Sequence, residues 1–167
     1  MRRENPDIDT LSARRKWTES NRDRLREQDR IYREQHRAEA AATEARRRAR
    51  KKSLPDTLTS EQVKDIIQKF NGKCSICSSD YEHLDHFIPL ATGHGGTTRE
   101  NIVPLCLKCN SSKRDKNPFL WSETLPKEER ERFDDLVKYL TDINGITDVE
   151  SYKAHVEDCF KTKLGDD

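Results

Sequence analysis

"LDHFIPLATGHGGTTRENIVPLCLKCNSSK", residues 84–113, places Asp85 and His86 side by side in an apolar, β-prone run. Burying either group without a partner is costly, so the pair needs a reason. Leu84–Leu90 and Asn101–Leu105 read as two short strands joined by a wide loop over residues 91–100. Cys106-x-x-Cys109 then opens a helix from about Leu107. A hairpin packed on that helix can gather Asp85, His86 and Asn110 around one small space.

Upstream, Cys74-x-x-Cys77 repeats the spacing of the second cysteine pair, and 28 residues separate the two. Two such turns supply four thiolates to one zinc, and a four-cysteine set with no open position is structural. A redox role fits poorly, because neither pair opens the helix of a βαβ unit. Cys159 is left over and is expected in or near the core. The segment between the pairs has few large apolar residues, so the metal is expected to supply much of its folding energy. Asp85 and the Asn110 side-chain oxygen are hard ligands suited to one Mg²⁺ or Mn²⁺. His86, free of metal, can accept a proton from water near neutral pH.

Working outward, the 167 residues are 38% charged and only 32% hydrophobic, too polar for one core throughout. Net charge is +1, yet residues 1–53 hold 17 Lys and Arg against 10 Asp and Glu. Residues 54–118 are neutral, and residues 119–167 hold seven basic against 13 acidic residues. This polarity predicts a basic arm for a polyanion. No apolar run has the form of a signal peptide or membrane span, so the expected compartment is cytoplasmic, without a membrane partner.

Leu11 to Lys52 lacks Pro and Gly and is rich in helix formers, which predicts one long charged helix. Pro55 and its neighbours mark the expected domain boundary, giving a helical arm over 1–53. Thr59 and Gln62 form a capping box for an amphipathic helix carrying Val63, Ile66, Ile67 and Phe70. A helix within residues 124–145 has the stripe Phe133, Leu136, Val137 and Leu140. A last helix from Thr147 carries Val149, Tyr152, Val156 and Phe160. Both are expected to pack on the centre, making 119–167 an acidic helical extension of a 54–118 module.

Residues 84–113 resemble the HNH motif of the ββα-metal (His-Me finger) nucleases, in the variant with two zinc-binding CxxC turns. The resemblance spans about residues 57–117, and residues 57–77 look like the lead-in helix of many phage and prophage HNH endonucleases. It implies an α+β fold, a small ββα-metal module stapled by the cysteine site. It implies an endodeoxyribonuclease that hydrolyses phosphodiester bonds. Carried over by position, His86 is the general base, Asn101 orients it and fixes the loop, and Asp85 and Asn110 hold the catalytic metal. The implied products are a 3′-hydroxyl and a 5′-phosphate. DNA is the implied partner; a homodimer or a phage packaging partner stays open, as does a host cytoplasm for a phage-encoded chain.

Outside that set, His83 reads as a solvent-facing residue and His94 as an exposed loop residue. Lys113 and Arg114, with Lys116 beyond, follow Asn110; one of them, Lys113 foremost, is expected to neutralise phosphate near the cut, the alternative being ordinary surface charge. Arg46, Arg47, Arg48 and Arg50, with Lys51 and Lys52, form the densest basic cluster and are expected on the DNA backbone. The competing function is a non-catalytic, zinc-containing nucleic-acid-binding module, which has no need of Asp85, His86 and Asn110. A coiled-coil assembly role is poorly served by the thin apolar spacing of the arm.

Overall fold

The computed structural model of the chain describes residues 7–162. They fall into two compact units, one ending at Arg37 and the other running from Ala38.

The first unit is helical and solvated. It contains α1 (Asp7–Ser20) and α2 (Arg22–Gln35) in place of an uninterrupted helix. At the break Asn21 leaves helical geometry (φ −110°, ψ 12°), and both its backbone N–H and its side-chain amide donate to the Trp17 carbonyl. A second break falls at His36, before α3 (Arg37–Arg50). Leu11, Trp17, Ile31 and Tyr32 are exposed, and α2 buries none of its residues. Its surface is laced by exposed pairs such as Arg30 with Glu27 and Glu34, which solvent screens.

In the second unit, α3 buries Ala42, Ala45 and Ala49, a stripe at alternating spacings of three and four. The boundary expected at residue 53 therefore lies inside this unit, and the arm's last helix belongs to the module. Ala42 packs with Leu58, with Val63 and Ile66 of α4 (Ser60–Lys69), and with Ile102. Thr59 and Gln62 cap α4 reciprocally, as their spacing predicts. β1 (His83–His86) and β2 (Ile102–Leu105) form an antiparallel pair, with Asp85 opposite Val103 and His86 opposite Ile102. Pro104 offers this pair no N–H, and its carbonyl accepts instead from the backbone N–H and hydroxyl of Ser75.

β2 leads into α5 (Leu107–Lys113), and α6 (Pro118–Ser122) follows after a short turn. α7 (Lys127–Ile143) buries Phe133, Leu136, Val137 and Leu140, the expected stripe. α8 (Val149–Lys161) starts two residues later than expected, because Asp148 caps it by accepting from the Ser151 N–H at 2.7 Å. Tyr152, Val156 and Cys159 are its buried residues. Phe87 sits at the centre of this core, stacked on Phe133 at 5.9 Å and edge-on to Phe119 at 6.1 Å. The result is an α+β architecture with a two-stranded sheet and a helical C-terminal region. No helix among the described residues is long and apolar enough to cross a membrane.

The loop between the strands is clamped. Thr97 donates its N–H to the Pro55 carbonyl at 2.7 Å and accepts from the Leu58 N–H at 3.1 Å. Gly96, at φ +73°, would set a Cβ 2.5 Å from that Pro55 oxygen. Two penalties coincide there, a left-handed backbone and a backbone clash. Gly96→Ala is expected to cost more than about 1 kcal/mol and lower the thermal midpoint by several degrees. Calorimetry of the two proteins checks this.

Candidate active site and metal centre

Two knuckles bring four sulfurs together. In the first, Cys74 donates its N–H to the Ser79 carbonyl at 2.7 Å, and Ser78 closes the turn at φ +61°. In the second, Cys106 caps α5, its sulfur accepting from the Cys109 N–H at 3.4 Å. The ligand atoms of Cys74, Cys77, Cys106 and Cys109 all lie within 4.8 Å of one another, and Cys77 and Cys106 are 3.5 Å apart. A tetrahedral thiolate site with bonds of about 2.3 Å has sulfur–sulfur edges of about 3.8 Å, so the cluster fits a metal ion. α7 adds an outer brace, Arg132 Nε donating to the Ile76 carbonyl at 2.6 Å.

α5, anchored by this cluster, runs back to β1. There the Lys113 ammonium is buried, 2.8 Å from Asp85 Oδ2 and donating to the His86 carbonyl at 2.7 Å. The sequence puts Lys113 at a phosphate; its ammonium is instead committed to the interior. Its long apolar stem makes this burial tolerable once the charge is paired. Lys113 is thus the charge partner of the buried Asp85 Oδ2. Burial pushes the Asp85 carboxyl up from its ordinary value, against the attraction of Lys113.

His86 is 5% exposed, and its Nε2 lies 2.7 Å from the Thr97 hydroxyl. Burial, with the positive charges of Arg48 and Lys113, pulls its pKa down to about 3. The imidazole is therefore neutral at neutral pH, in the state that accepts a proton. Asn101 is buried and spends its whole amide on the loop. Its Oδ1 accepts from the Ile88 N–H at 2.7 Å, and its Nδ2 donates to the carbonyls of Ile88 and Gly96, each at 2.9 Å. It thus fixes the backbone before and within the loop, and its side-chain hydrogen bonds go to Ile88 and Gly96 rather than to His86.

Asp85 and His86 open into a cleft of about 360 Å³, lined also by Arg48, Lys51, Lys52, Pro89, Leu90, Ala91 and Asp115. Asn110 stays outside this lining, half-buried on α5. The basic cluster is divided by its contacts. Arg48, Lys51 and Lys52 face the cleft, whereas Arg47 pairs with Glu44 and Arg50 with Asp56. Arg46 Nη2 reaches Thr43, and its Nε is buried without a hydrogen-bond partner. Arg114 and Lys116 are exposed just beyond α5, and so is His83 at the start of β1. His94 Nε2 lies 3.1 Å from the Thr162 hydroxyl. Thr97 and Asp115 escape sequence reasoning, since neither carries a motif position; the clue to Thr97 is only its place after two glycines.

Residues 73–116 match the model of the HNH endonuclease family. The chain is also similar to the CRISPR-associated endonuclease Cas9 of Corynebacterium diphtheriae, with 37% identity over 62 residues. That alignment covers 34% of this chain and 6% of the relative, so the chain spans a small fraction of the length of the protein it matches. No solved structure matches the chain. The motif, its placement on a hairpin and helix, and the four clustered cysteines agree: the chain carries an HNH endonuclease domain at residues 73–116.

Proposed function

We propose that the protein is a metal-dependent endonuclease that hydrolyses DNA phosphodiester bonds, with His86 as general base. The observation that carries this reading is the cleft itself. It holds a neutral buried imidazole next to a carboxylate, under a wall of three cations.

His86 takes a proton from a water as the water oxygen bonds to phosphorus. The bond from phosphorus to the 3′ oxygen breaks, and that oxygen acquires a proton from solvent. The products are a 3′-hydroxyl and a 5′-phosphate. Asp85 is the ligand for the divalent cation, and its hard oxygen donors and its place in the cleft lining support that role. Asn110 as second ligand rests on its place in the motif. Once bound, Mg²⁺ or Mn²⁺ supplies neutralisation of charge developing at the phosphate. Asn101 holds the loop that orients the base. Arg48, Lys51 and Lys52 hold the DNA backbone along the cleft, and the exposed Arg114 just beyond α5 adds a further backbone contact. The four cysteines hold zinc, as expected of a closed thiolate set with no open position.

Plasmid cleavage tests the reaction. Wild type is expected to nick or linearise DNA with Mg²⁺ and not with EDTA, and His86→Ala to lose roughly 10²–10⁴ in rate while still binding DNA. Binding without cutting by wild type across several divalent metals would establish the non-catalytic zinc module instead. Salt titration of binding tests the basic wall. Each neutral substitution of Arg48, Lys51 or Lys52 should flatten the slope of log affinity against log salt by about 0.9. Unchanged slopes would remove the wall from the interface. Cys74→Ser is expected to purify without zinc by elemental analysis and to lose the cooperative melting of the module, because the binding energy is folding energy. A folded, zinc-loaded variant would refute the structural site.

A further inference from the structure

The hydrogen-bond partners of Thr97 contain information about His86 that no motif position conveys. Thr97 is fully buried. Its hydroxyl donates to the carbonyl of Ala45, in α3, at 3.0 Å. A hydroxyl has one proton, so toward His86 Nε2, at 2.7 Å, Thr97 Oγ1 acts as acceptor. Nε2 must then carry the imidazole proton. In a neutral imidazole that leaves the lone pair on Nδ1.

We infer that Thr97 is a positioning residue that fixes His86 in the Nε2–H tautomer, so that Nδ1 is the nitrogen that takes the proton from water. The relay runs from His86 Nε2–H to Thr97 Oγ1 and from the Thr97 hydroxyl to the Ala45 carbonyl. It rests on the proposed role of His86 as general base. Three features make the relay rigid. The Thr97 backbone is clamped on both sides by Pro55 and Leu58, and Asn101 Nδ2 holds the neighbouring Gly96 carbonyl. Ala45 is buried, and its small side chain lets the α3 backbone approach closely enough to accept. The accepting carbonyl lies outside residues 73–116, so a helix beyond the matched domain sets the chemistry of the base.

The test is ¹⁵N NMR of the histidine rings in the full-length protein as purified, at neutral pH. The His86 signals are identified by their loss in His86→Ala, and the four remaining histidines report on the fold. Wild type and Thr97→Ser are expected to show a protonated Nε2 and an unprotonated Nδ1. Thr97→Val leaves a buried Nε2–H without an acceptor and is expected to shift the proton toward Nδ1. With it, kcat for plasmid cleavage should fall by a factor of roughly 10–100 at unchanged KM, while Thr97→Ser stays within about threefold of wild type. A wild-type proton on Nδ1, or a Thr97→Val protein with wild-type tautomer and turnover, would overturn the inference. If wild type itself fails to cut, the nuclease reading falls, and the tautomers alone decide the role of Thr97.

Discussion

Four sulfur atoms organise a segment that has little apolar material of its own. Each strand is four residues long, and a two-stranded sheet of that size does not persist in water unaided. The first knuckle fastens to β2 through Ser75 and the Pro104 carbonyl, while the second caps α5. One cluster therefore sets the angle between the helix and the hairpin. Everything chemical follows from that angle, because α5 is the element that delivers Lys113 to Asp85.

Lys113 converts this geometry into electrostatics. Its ammonium neutralises a buried carboxylate and holds the backbone carbonyl of His86, so it ties the two neighbours into one rigid unit. A buried ion pair of this kind is weak evidence for net stability, since desolvation consumes most of the Coulombic gain. Its stronger effect is on orientation. Lys113 on one side and Thr97 Oγ1 on the other contact Asp85 and His86 at the end of β1.

Much of this was legible in the sequence where the signal is local. The paired CxxC spacings imply a metal cluster, Thr59 and Gln62 announce a capped helix, and the Phe133–Leu140 stripe announces a buried face. The rest was hidden because it depends on what another segment brings. Lys113 looks like a surface charge until Asp85 is placed beside it. The alanines of α3 look like helix filler in a charged arm, because Ala carries almost no hydrophobic signal. In the fold, their smallness is what permits backbone contact. Gly96 and Thr97 read as a loop, yet the loop is clamped by residues 55–58 and by Asn101. Asn110 shows the opposite case, a motif position that the cleft lining does not include.

The docking of α3 also bears on modularity. The matched segment contains Asp85 and His86, but the cations Arg48, Lys51 and Lys52 and the carbonyl of Ala45 come from upstream. A graft of residues 73–116 alone onto a foreign scaffold would carry Asp85 and His86 and leave behind one wall of their cleft. The part that could be moved intact is the compact unit that begins at Ala38 and includes the alanine stripe of α3.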